Sequence, residues 1–252
     1  MARIFLAAWI LLLLSTAGRV SAENEARVYV VLSLVGDQIN VVNYQRTTGS
    51  GLDRNLHRSI PVKDGVFDKD VLLAADAALK RQDAGALVKL IVSSAPDLFE
   101  HQDRFFDGGR VALPKQIDSA ARTSGATHLV LVTKHRAEAA LQMMNDKVGS
   151  GKLEGLGFYV DNEKVTKRTD TGEVGRGFLA AFVYIKVSLV DLNTSMVVQE
   201  QPVTATAALS AASAKEGVDP WDALSPAEKV EMLQRMIKLE LARVVPQIIA
   251  RP

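Results

Sequence analysis

Cysteine is absent from all 252 residues. That gap excludes disulfides, zinc–thiolate centres, thiol nucleophiles and lipid attachment at a cysteine, so stability must come from an ordinary core. Neither sign of charge dominates. Thirty Lys and Arg residues face 29 Asp and Glu, for a net +1. Such balance leaves no electrostatic footprint for nucleic acid and no polybasic surface for anionic lipid, and points to a neutral or protein partner. Long apolar runs are also missing beyond the first residues. A spanning helix needs about 20 apolar residues in succession, and the run from Ile4 stops at Leu14 before Ser15, Thr16 and Gly18 dilute it.

What that start does contain is the pattern of a secretory leader: basic Arg3, the short apolar run, and Val20-Ser21-Ala22 before a cut. Residues 1–22 are therefore expected to be removed. Loss of Arg3 and Arg19 with them turns the net +1 into −1. The chain is then expected to be exported to the periplasm, where it has no access to cytosolic nucleotide metabolism, transcription or ATP-driven work. With 48% hydrophobic residues, the remaining 23–252 can build one substantial domain.

The order of elements follows from periodicity. Arg27-Val-Tyr-Val-Val-Leu-Ser-Leu-Val35 and Gln38 to Arg46 are β-rich stretches around Gly36-Asp37 and predict an opening hairpin. The stretch 47–65, with Thr48-Gly49-Ser50-Gly51 and Pro61, reads as a long loop. Asp68 is expected to cap a helix whose apolar residues Val71, Leu72, Ala75, Leu79, Leu87, Leu90 and Ile91 recur at helical spacing up to Pro96, with a break possible at 83–85. Pro114 opens a short helix that stops at Gly125, and a buried strand follows from 126 to 135. The stretch 145–177 is rich in glycine and charge, holds one strand-like island at 155–161, and reads as a flexible or hairpin insertion. Two long strands, 178–192 and 196–209, form a hairpin around Asn193-Thr194-Ser195 and should sit centrally in the sheet. Ser225-Pro226-Ala227-Glu228 is a capping box. The amphipathic helix behind it carries Val230, Leu233, Ile237, Leu241, Val244 and Ile248 on its apolar stripe, with Lys229, Arg235 and Lys238 facing water. The sum is an α+β class: a single domain with a mixed, mainly antiparallel sheet and helices packed on it.

Chemistry is sparse. The four histidines are His57, His101, His128 and His135. On one strand, His128 and His135 point to opposite faces roughly 23 Å apart and share no metal. Ser33, Ser188 and Ser210 lie in or beside strands, and no G-x-S-x-G elbow is present. Gly149-Ser-Gly-Lys152 fails as a phosphate loop, because Asp146 and Leu153 stand where glycine and Ser or Thr are required. Asp64, Asp68 and Asp70, like Asp161 and Glu163, lack the glutamate that completes a calcium loop. The residues thus predict no catalytic group, cofactor or metal. The exception kept open is a small-molecule or hydrolase site around His101, Asp103 and Asp107. Phe105-Phe106 and Phe158-Tyr159 are the aromatic pairs outside regular elements, and they are candidate contacts for a protein partner if exposed and core plugs if buried.

The unit from Ile117 through Gly125-Ala126 and the following strand, then the hairpin with Asp191, Thr194 and Val197 at its turn, resembles an α/β domain of several envelope families. These are the amino-terminal domain of the Tol-system propeller protein, the curli-secretion lipoprotein and the lipoprotein activators of penicillin-binding proteins. The likeness spans 117–207, with 27–34 as the first strand. It departs from the lipoproteins in having no cysteine and from the propeller protein in having no second domain. It implies a non-enzymatic periplasmic domain that binds another envelope protein through a sheet edge or through the loops 149–177 and 96–109; the oligomeric state stays open.

Overall fold

The computed structural model describes residues 27–46, 53–143, 146–167, 172, 174–210 and 219–250. The leader, the Thr48 to Gly51 stretch and parts of 145–177 lie outside these residues. In chain order the first half runs β1 (Val28–Ser33), β2 (Gln38–Asn43), β3 (Leu56–Pro61), α1 (Val66–Gln82), β4 (Leu87–Ile91), β5 (Phe106–Asp107), β6 (Arg110–Val111), α2 (Lys115–Thr123) and β7 (His128–Lys134). The second half runs β8 (Arg136–Glu138), β9 (Leu141–Gln142), β10 (Lys147–Val148), β11 (Lys152–Lys167), β12 (Val174–Asp191), β13 (Met196–Ser210) and α3 (Pro226–Ile249).

Strand β12 is the spine of the sheet. One of its edges pairs antiparallel with β13 from Phe178 to Asp191. The other edge is shared: β11 takes Val174 to Tyr184, and β7 takes Ile185 to Asp191. The sheet therefore forks into one arm, β11–β2–β3, and a second, β7–β1–β4. Pairings β1–β4, β1–β7 and β2–β11 are parallel and the others antiparallel, which gives the mixed, mainly antiparallel sheet and the α+β class the sequence predicts.

The near-continuous apolar text of β12 follows from burial on both faces. Leu179, Ala181, Val183, Ile185 and Val187 lie under α1 and α3, together with Tyr29, Val31 and Phe158. Phe178, Ala180, Phe182 and Tyr184 fill the opposite face with Val42, Leu141, Leu153 and Tyr159. A third cluster, Val30, Leu32, Leu129 and Leu131 with Ala121, is covered by α2. Helices α1 and α2 thus occupy opposite faces of the second arm. At Gly157 the two strands β11 and β2 approach so closely that an added Cβ would lie 1.9 Å from the Asn40 carbonyl oxygen.

Several expectations are corrected. β1 and β2 form no hairpin: β1 pairs with β4 and β7, and β2 with β3 and β11. The helix begun near 68 ends at Gln82, and Leu87–Ile91, whose leucines also fit a helical period, is the strand β4 beside β1. The expected loop 47–65 contains β3, while of the two forms expected for 145–177 the described residues show the hairpin, β11 paired antiparallel with the start of β12. Helix α3 has its capping box, with Ser225 Oγ accepting from the Glu228 N–H and Glu228 returning to the Ser225 N–H. Lys229 does not face water. It is buried, its Nζ donates to the Leu224 carbonyl and lies 4.2 Å from the Trp221 ring centroid, and burial pulls its pKa down.

Candidate functional site

Parallel strands β1 and β7 end side by side, and a cleft opens beyond their carboxyl ends. The 96–105 loop is tied across them by one side chain. Gln102, itself buried, donates its amide to the Leu34 carbonyl at 2.5 Å and accepts the Lys134 N–H at 2.9 Å, acting as an extra rung between the two chains. Lys134, the last residue of β7, turns its Nζ to the Phe99 carbonyl at 2.8 Å. Gly155, at φ +70°, leaves the floor open where the arms diverge; a Cβ there would meet the Asn40 amide at 3.4 Å and the Lys134 side chain at 3.5 Å.

Three lobes meet at Lys134. The first, about 330 Å³, runs between β2, β3, β8 and β11, past Arg58, Arg136, Lys152 and Glu154. The second, about 530 Å³, is bordered by His101, Asp103, Phe106, His135, Arg136, Glu154 and Lys186. The third, about 640 Å³, opens beside the start of α1 with Asp37, Asp64, Asp68, Leu72, Val92 and Phe99 on its walls.

Asp68 does not cap α1 in the expected way. The helix starts after Gly65 with no side-chain cap, and Asp68, buried in the first turn, points back at β1. Its Oδ1 accepts from Ser33 Oγ at 2.5 Å, the Val35 N–H at 3.1 Å and the Gly36 N–H at 3.2 Å. Burial raises the Asp68 pKa despite these donors, and nearby Asp37 adds to the rise. Asp37 accepts the Phe67 N–H at 3.0 Å, and its own pKa is also raised, again by burial first.

The structure brings His101 and Asp103 to the second lobe, but no hydrogen bond joins them, and Asp107 lies apart in β5. Among the described residues no group of three or more His, Asp or Glu could hold a metal ion. His128 and His135 stand at opposite ends of β7. Phe158 and Tyr159 are fully buried in β11: Phe158 meets Trp221 edge-on at 6.0 Å, and Tyr159, on the other face, stacks on Phe178 at 6.1 Å. Both are the core plugs of the two readings kept open. Phe105 and Phe106 are half-buried, with Lys186 Nζ 3.9 Å from the Phe106 ring centroid. Sequence reasoning passed over Lys134, Arg136, Gln102 and Glu154. The signal available for Lys134 was its place at the carboxyl end of a strand in a helix–glycine–strand unit, where open sheets hold ligands.

No family model and no curated protein matches the chain. Among solved structures it is similar to several bacterial proteins of mixed sheet-and-helix build. One is the PelC dodecamer from Paraburkholderia phytofirmans, at 12% identity over 88% of this chain and 86% of that one, TM-score 0.33. A second is a putative neuraminyllactose-binding hemagglutinin homolog from Helicobacter pylori, at 8% identity over 87% and 85%, TM-score 0.40. A third is the lipoprotein GNA1162 from Neisseria meningitidis, at 11% identity over 86% and 99%, TM-score 0.28. At these values the likeness is one of fold alone. These likenesses do not confirm the Tol, curli or penicillin-binding-protein activator group that the 117–207 pattern resembles.

Proposed function

We propose that the chain is an exported, non-enzymatic accessory domain of the bacterial envelope, of the kind resembled by the Tol, curli and activator lipoprotein domains, and that it docks an extended segment of another envelope protein. The observation that carries this is the edge strand β4. Among the described residues it pairs on one side only, with β1, and its Leu87 and Leu90, with Val92 just after it, are exposed at 57%, 40% and 71%. An open apolar edge is a template for a further strand. Lys89, the one charge in β4, is drawn away to the Ser124 carbonyl at the end of α2. The other edges are guarded. β3 carries His57 and Arg58 and ends in Pro61, while β13 carries Pro202 and receives the Gln142 N–H on Thr206 Oγ1. The loop 96–109, which follows β4 and shows part of Phe105 and Phe106, is the second contact in this reading.

The test is photocrosslinking in the native envelope from a reactive residue at 87, 90 or 92, with Leu239, exposed at 70% on α3, as the control position. One partner captured from β4 and not from Leu239 is expected. Equal labelling from both positions, or none from β4, overturns the docking reading. Sequencing of the exported form should begin at Glu23.

A further inference from the structure

We infer that the cleft around Lys134 binds a small ligand through one phosphate-type oxyanion. Topology comes first. β4 and β7 flank β1 and run parallel to it, yet the chain reaches them through helices on opposite faces, α1 for β4 and α2 for β7. Connections that part in this way leave a crevice beyond the carboxyl ends of the strands, the usual ligand position in open sheets. Lys134 ends β7 at that crevice, and all three lobes share it.

The second observation is the state of the cations. Lys152 and Lys186 each have a carboxylate, Glu138 at 3.8 Å and Glu200 at 3.1 Å. Among the described residues Lys134 has none; it uses one of its three donors on the Phe99 carbonyl and keeps two. Arg136, exposed two residues further on, makes no side-chain hydrogen bond or ion pair among the described residues, although its register partner across β8 and β11 is Glu154. Lys134 and Arg136 border both polar lobes, so an unspent ammonium and an unspent guanidinium face the same space. A guanidinium fork and an ammonium together match the oxygens of one phosphate.

The surroundings limit what enters. The third lobe holds Asp37, Asp64 and Asp68, whereas Arg58, Lys152 and Lys186 join Lys134 and Arg136 around the two polar lobes, so an oxyanion is confined to the polar lobes and kept from the third. Gly155 adds no side chain to the floor beside Lys134, and its φ of +70° is a conformation that other residues rarely adopt. This inference is independent of the β4 edge.

The probe is inorganic phosphate, titrated calorimetrically into the purified protein, with sedimentation on phosphatidylglycerol and phosphatidylcholine vesicles in parallel. Saturable phosphate binding is expected, weakened about tenfold or more in Arg136→Gln by loss of a charge-assisted hydrogen bond. Arg110→Gln, on β6 outside the cleft, should bind as the parent does. Lys134→Met should also weaken binding, but it removes the Phe99 contact, so Arg136→Gln is the deciding variant. Phosphate binding without vesicle binding assigns the oxyanion to a soluble ligand, whereas Arg136-dependent sedimentation on phosphatidylglycerol alone assigns it to a lipid headgroup. If neither probe binds, or if Arg136→Gln and Arg110→Gln behave alike, the site is overturned.

Discussion

Asp68 shows how one residue can be read correctly as acidic and helix-initial and still be misplaced in its role. Its identity in the first turn suggests a cap, but its three donors come from Ser33, Val35 and Gly36, residues that only the tertiary fold brings near. Burial raises its pKa above 3.8. The folded chain therefore holds this proton to higher pH than the unfolded chain does, and stability falls as pH rises from 3.8 through the raised native value. Asp68→Asn keeps the accepting oxygen and removes the titration. The urea midpoint of this variant should gain on the parent as pH rises through that window, and parallel profiles would contradict the assignment. Ser188 is the residue-scale opposite: a buried hydroxyl in β12 with no hydrogen-bond partner among the described residues. Ser188→Ala should raise stability by about 1 kcal/mol in denaturant titration. Phe158 was legible as an aromatic that is either a contact or a core plug, and its burial in β11 settles it as the plug. Phe158→Ala should cost about 3–5 kcal/mol.

Elements written in local chemistry were legible, and those defined by distant pairing were not. α3 announces itself through Ser225, Pro226 and Glu228, and Ser225→Ala should lower stability by about 1 kcal/mol. The turn between β12 and β13 is equally local, since Asp191 Oδ1 accepts from the Asn193 and Thr194 N–H groups at 2.7 and 3.3 Å. β4 is a different case. Leu87, Leu90 and Ile91 satisfy a helical period as well as a strand, and the choice is made by hydrogen bonding to β1, some sixty residues earlier, which no window of sequence displays. Likewise Gly36-Asp37 carries turn chemistry, but β1 and β2 on its two sides run in the same direction in different arms, so the chain crosses between arms there instead of folding back. The parallel β2–β11 contact depends on Gly157, and Gly157→Ala should lose at least about 2 kcal/mol because backbone must shift to admit the Cβ.

For the molecule as a whole, the fold class was readable from the alternation of elements, while the fork was not. Nothing in the text of β12 says that one edge is divided between β11 and β7. The candidate site inherits that blindness: Lys134, Arg136 and Glu154 meet only because the arms diverge between them. With neighbours on both edges and burial on both faces, the β12 amides from Phe178 to Val190 should be the last to exchange with deuterium, and β4 among the first of the sheet.

The fork also sets an order of events during synthesis. β1, β4 and β7 are all made before residue 135, yet the strand against which they close does not begin until Val174. At ordinary elongation rates that interval lasts on the order of several seconds. Through it the nascent chain carries an open sheet edge with nothing of its own to seal it. The late arrival of β12 keeps the sheet from closing until the spine emerges.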